Sequence, residues 1–204
     1  RAMLPAGTAL VIPNVLGSLV PRVQLVPDSE VIYSPAANFD LSGYIQSAGG
    51  MLGSYQETID GETMDGAHIL ERVALETSIN PRLLLAFLEY RSGWVTGQPA
   101  NPGETGYPIG FYAGGYSGLY KELILTARQL TIGYYGWRSG QVVRLEFLGG
   151  STARIDPLQN PGSAAVQYLF ARLYKPQAWE EELYAPGRFL AFYEQMFPGV
   201  WERA

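Results

Sequence analysis

Asn80-Pro81-Arg82-Leu83-Leu84-Leu85-Ala86-Phe87-Leu88-Glu89-Tyr90-Arg91-Ser92-Gly93-Trp94 carries its own start and stop signals. Asn80 is a good N-cap, because its side-chain oxygen can take one of the unpaired N–H groups of a first turn. Pro81 falls at the first helical position, where its missing N–H costs nothing. Leu84, Leu85 and Leu88 share a face, Ala86 permits close approach, and Gly93 supplies a left-handed stop. The stretch predicts a buried helix of about three turns.

The flanking sequence is mostly helical. Upstream, Asp40 is placed to cap a short helix bearing Leu41, Tyr44 and Ile45, ended by Gly49-Gly50. A second short helix is expected to carry Leu52, Tyr55 and Ile59. An acidic loop follows from Glu57 to Asp65, and Asp65 is a cap for a helix through Ile69, Leu70, Val73 and Ala74. Residues 95–118 are rich in glycine and hold Pro99, Pro102 and Pro108, so they read as a long loop, the kind that is usually functional or mobile. A long helix from about Leu119 to Tyr135 turns Leu123, Ile124, Ala127 and Leu130 inward. Val142–Phe147 and Thr152–Ile155 flank Leu148-Gly149-Gly150-Ser151, a hairpin signal. Asn160-Pro161 repeats the cap-then-proline start, and a last helix is expected from about Pro186. Residues 1–35 contain five prolines and read as an extended strand-and-loop segment. The expected fold class is mainly α (α+β), with a small β-hairpin, an extended segment over 1–35 and one helical domain over 36–204.

Composition narrows the chemistry. A net charge of −5 and a pI near 4.9 argue against nucleic acid, which requires a basic face. No run approaches eighteen apolar residues, so no membrane span is expected. The absence of cysteine removes disulfides, thiolate zinc sites and a thiol nucleophile, and fits an extracytoplasmic protein. The only histidine, His68, falls in a first helical turn, where a solvated or packed role outweighs a relay. No metal or cofactor is expected. The chain opens on Arg1-Ala2 rather than Met, as expected of a processed form. Fourteen Tyr, eight Phe and four Trp supply flat faces that suit sugar rings as well as cores.

The run from Ile79 to Trp94 resembles the signature of the soluble lytic transglycosylase branch of the lysozyme superfamily. Pro81, Leu84, Leu85, Ala86, Ser92, Gly93 and Trp94 fall in register with it, the segment Gly106–Gly110 lies where that family has a glycine-led hairpin, and Asn160 with Tyr168-Leu169 matches a later helix. Leu4 to Pro13 is similar to the tail of a LysM module. The resemblance implies a lysozyme-like domain with a cleft for peptidoglycan glycan strands. It also implies a glutamate, raised in pKa by an apolar setting, that protonates the glycosidic oxygen. That position is Arg91 here. A guanidinium stays protonated and cannot act as general acid.

Three readings follow. In the first, the domain is a catalytically degenerate module that binds peptidoglycan through Arg91, Ser92, Trp94, Tyr107, Tyr112 and Tyr116, with a cell-wall hydrolase domain linked to it. In the second, a relocated carboxylate restores glycosidase or transglycosylase activity. Glu89 is the first candidate, though it sits about 200° around the helix from Arg91; Glu57, Asp60, Glu62, Asp65 and Glu104 are the others. In the third, the chain is a structural or assembly subunit whose aromatic surface meets another protein.

Overall fold

Helix α3, Pro81–Ser92, forms as its ends require. The Asn80 side chain accepts from Arg82 N at 3.0 Å, Pro81 opens the helix, and Gly93 closes it in the left-handed region at φ 66°. Leu83 through Leu88 have no exposed surface at all. A helix buried on every side lies in the interior of its domain. Phe87 marks the centre, stacked on Phe189 at 4.5 Å between ring centroids and tilted against Phe170 at 5.4 Å.

The computed structural model describes residues 18–32, 39–98 and 106–203. Around α3 lie α1 Leu41–Ala48, α2 Gly66–Thr77, α4 Leu119–Arg138, α5 Pro161–Leu173, α6 Pro176–Tyr184 and α7 Phe189–Met196. Two antiparallel pairs complete the fold: β1 Gln56–Ile59 with β2 Glu62–Asp65, and β3 Arg144–Glu146 with β4 Thr152–Arg154. The class is mainly α with small β elements. No helix among the described residues is long and apolar enough to cross a membrane.

The structure revises the expected elements in four places. Ile59 lies in a strand, with only a 3-10 turn, Met51–Gly53, before it. The segment Glu57–Asp65 is therefore a hairpin and not an acidic loop. Its turn residues Asp60 and Gly61 both adopt positive φ, 54° and 88°, as a two-residue turn of right-handed twist demands. Asn160 precedes α5 without capping it. Asp28 Oδ1 accepts from Gly162 N at 2.8 Å instead, while the Asn160 amide donates to Val26 O and Asp28 Oδ1. Helix α6 is not among the expected elements; it starts at Pro176 after Lys175 at the N-cap position, and it buries Trp179 and Leu183.

The described part of the N-terminal segment is built into the core. Val20, Leu25, Val26 and Val31 are buried, Leu25 N donates to Ser163 Oγ at 2.6 Å, and Ile32 bridges to Ile79 just before α3. Buried Glu30 accepts from Tyr193 Oη of α7 and from Arg203 Nε at 3.2 Å, so it ties this segment to the C-terminal turn. The LysM-like residues 4–13 lie outside the described residues.

Helices α4 and α5 make the most extensive helix contact among the described residues. A Cβ added at Gly133 would fall 2.7 Å from Ala165 Cα, a backbone atom that cannot rotate away. Gly133→Val is expected to cost about 1–3 kcal/mol or more by overpacking. Denaturant unfolding beside wild type measures this, and an unchanged midpoint would contradict the packing described.

Candidate functional site

The C-terminal end of α3 meets the loop 106–118 and the start of α4. Gly118 N donates to Gly106 O at 2.7 Å, which closes the loop on itself. Beneath it lies Glu122, fully buried in the first turn of α4. Its Oε2 accepts from Ile109 N at 2.9 Å, Gly110 N at 2.8 Å and Phe111 N at 3.4 Å. Its Oε1 is buried with no partner among the described residues. Burial raises the Glu122 carboxyl above its ordinary range, while the three N–H groups and the nearby Arg91 charge pull it back.

Arg91 grips the same loop from the other side. Its Nε donates to Ile109 O at 2.7 Å, its Nη1 donates to Tyr174 Oη, and the guanidinium lies 5.2 Å from the Tyr174 ring centroid. Tyr174 is in turn stacked on Phe170. Gly110 makes the approach possible. It has φ 89°, and a Cβ there would sit 2.8 Å from Arg91 Nη2. The guanidinium is thus largely used within the domain, leaving Nη2 on the side of Gly110.

The other expected site residues separate into core and surface. Trp94 is only 1% exposed and packs against Tyr55 at 5.1 Å, so it has no free face for a sugar and belongs to the core. Ser92 Oγ donates to Leu88 O within its own helix. Tyr107 and Tyr112 pair at 5.4 Å between centroids, and Tyr112 is 73% exposed with a left-handed backbone, φ 48°. Tyr116 Oη lies 3.4 Å from Arg128 Nη1, which donates to it. The loop therefore presents Tyr112 outward, with Tyr107 and Tyr116 half-buried, above a floor made by Glu122 and Arg91.

Each candidate carboxylate that the structure describes has a place. Glu89 accepts from Val95 N at 2.7 Å, from Thr96 N at 3.1 Å and from the Thr96 hydroxyl, and so fastens the turn after α3. Glu57 Oε2 accepts from Tyr55 Oη and from Tyr120 N at 3.2 Å, capping α4, whose own Gly118 cannot. Asp60 and Glu76 flank Arg72 at 2.8 and 2.7 Å, and the bond from Arg72 holds Glu76 below its usual pKa. Asp65 caps α2 through His68 N, the main reason its pKa falls, and also meets exposed His68 Nδ1 at 2.8 Å. Glu62 is exposed on β2, and Glu104 lies outside the described residues. Glu122 is the residue that sequence reasoning missed. Its position in a first helical turn reads as a dipole partner, and only the fold brings residues 109–111 over it.

The family description "LasA, N-terminal domain" matches residues 24–204, which span every helix and strand described. The chain belongs to the LasA N-terminal domain family. No curated protein and no solved structure matches it. The match to this domain begins inside the N-terminal segment, after the LysM-like residues and four residues before Asp28.

Replacing Glu122 tests the floor. Glu122→Ala strips three N–H groups of their acceptor, and a buried unpaired donor costs about 1–3 kcal/mol. Faster amide exchange at Ile109, Gly110 and Phe111 is expected, restored in Glu122→Gln, whose amide oxygen still accepts. The pH dependence has a definite sign. A carboxyl raised on folding binds its proton more tightly in the folded chain, so this group adds stability as pH falls from its raised value toward 4.5. Glu122→Gln should lack that gain. Equal pH slopes for the two chains would contradict the raised carboxyl.

Proposed function

We propose that this domain is a noncatalytic binding module for peptidoglycan glycan strands, working in the cell envelope and joined to further chain. The observation that carries the reading is the division of labour around loop 106–118. The charged groups beside it are used inward, while Tyr112 is turned outward beside half-buried Tyr107. Glu89 Oε2 and Glu57 Oε2 accept from backbone N–H groups, and Arg91 stands where the lysozyme-like resemblance would require the acid at the end of α3. Glu122 is raised in pKa, as a general acid would be, but it is fully buried and its Oε2 is committed to the loop.

Tyr107 and Tyr112 supply what sugar binding needs. Each has a flat apolar face and a hydroxyl at its edge, and the pair is held on a loop anchored from below. Rigid aromatic anchors lose little entropy on binding. The family's description as an N-terminal domain supports action next to a linked domain, which such a module would hold against its substrate. A second reading, docking onto another protein, is supported by the same tyrosine pair, of which Tyr112 is exposed.

Cosedimentation with insoluble peptidoglycan separates the two. The binding reading expects wild type in the pellet, a loss of tenfold or more in affinity for Tyr112→Ala, and no release of soluble fragments. A chain that stays in the supernatant would overturn it in favour of protein docking. Fragment release abolished by Glu122→Gln or Glu89→Gln would establish an enzyme instead.

A further inference from the structure

A second surface involves none of the residues of the tyrosine loop. Strand β4 is paired on both sides. On one side Val20 N donates to Arg154 O at 2.9 Å and Arg154 N to Ser18 O at 2.8 Å. On the other it meets β3 in the register Arg144↔Arg154, Leu145↔Ala153 and Glu146↔Thr152. The flanking bonds Ile155 N to Val143 O and Phe147 N to Ser151 O fix which pairs exchange hydrogen bonds. Bonded pairs alternate along an antiparallel ladder, so Leu145–Ala153 is the third. Arg144 and Glu146 therefore aim their main-chain N–H and C=O away from β4. Neither has a backbone partner among the described residues, and both are exposed.

The chemistry beside this open edge is apolar and basic. A groove of about 350 Å³ runs along β3 against Tyr168 and Arg172 of α5. It shares Gln141 and Val142 with a wider groove of about 700 Å³ over Ile132 and Tyr135 of α4. Ile132, Tyr135 and Val143 are 42%, 48% and 47% exposed. Arg144 and Arg154 face each other across the ladder, a pairing that repels unless an anion intervenes. Neither they nor Arg138, which lines the wider groove, form an ion pair among the described residues. Arg172 is paired with Glu146 at 3.2 Å. In a chain of net charge −5, Arg144 and Arg138 on the two joined grooves, with Arg154 across the ladder from Arg144, are a local reversal of sign.

We infer that the β3 edge is a docking site for an extended acidic segment of another polypeptide, which adds a strand beside Arg144–Glu146. Strand addition draws affinity from main-chain hydrogen bonds and specificity from alternate side chains. Here two residues offer four main-chain groups. Carboxylates on one face of the incoming strand would meet Arg144 and Arg154, and apolar side chains on the other would lie against exposed Val143. A phosphate or glycan polyanion would satisfy the arginines but leave the strand edge and the apolar groove unused.

A labelled ten-residue peptide of alternating Glu and Val, titrated into the whole chain at low ionic strength and read by fluorescence anisotropy, tests this. Saturable binding is expected. It should weaken at least tenfold when alternate peptide nitrogens are methylated, and at least tenfold for Arg144→Glu/Arg154→Glu. The neutral pair Arg144→Gln/Arg154→Gln, folded by circular dichroism, should show an intermediate loss. Absence of binding, or binding indifferent to N-methylation or to both arginine pairs, would overturn the site. Inorganic polyphosphate binding as tightly as the peptide would reassign the arginines to a simple polyanion.

Discussion

One carboxylate oxygen, Glu122 Oε2, accepts from three consecutive backbone N–H groups, and the geometry at the end of α3 depends on it. The burial of Glu122 is costly for a charge, which is why its pKa is raised. The cost is offset by the three donors and by Arg91, whose own side chain pins the carbonyl of Ile109. Glutamate and arginine thus hold opposite ends of one peptide dipole array, with Gly110 between them because no side chain fits there. From that floor the rest of loop 106–118 takes its shape, including the exposed Tyr112.

The same arrangement explains why arginine suits position 91. A catalytic acid at a helix end needs an apolar setting and an open face. Here the space is filled by Ile109, Gly110 and Tyr174, and the group that belongs there is one that donates several bonds at fixed angles. A guanidinium does so, and it also lies against the Tyr174 ring. The raised carboxyl is Glu122 of α4, where it faces the loop backbone. A pocket of that kind holds a loop in place, and our proposal of binding without cleavage rests on this contrast.

Much of the helical framework was legible because its signals are local. Asn80-Pro81 and Gly93 bracket α3, Asp65 caps α2, and Gly149-Gly150 turn the second hairpin, all as their chemistry predicts. The first hairpin is misread from sequence: the Asp60-Gly61 pair is a turn signal, but the surrounding carboxylates read as a solvated acidic loop. What single residues cannot display is capping across long separations. Asp28 caps α5, Glu57 caps α4 and Glu30 receives Arg203, each partner dozens of residues away or more. The candidate site divided on the same line. Arg91 and the tyrosines stood out by type, Trp94 proved to be core because its ring meets Tyr55, and Glu122 was invisible until the loop lay over it.

The most direct test is a carbon-13 NMR titration of the Glu122 carboxyl in wild type and in Arg91→Gln. The account predicts a midpoint above the ordinary glutamate value in wild type, moved higher when the neighbouring positive charge is removed. A midpoint at or below the ordinary value, unmoved by Arg91→Gln, would contradict a buried carboxylate balanced between the loop and Arg91.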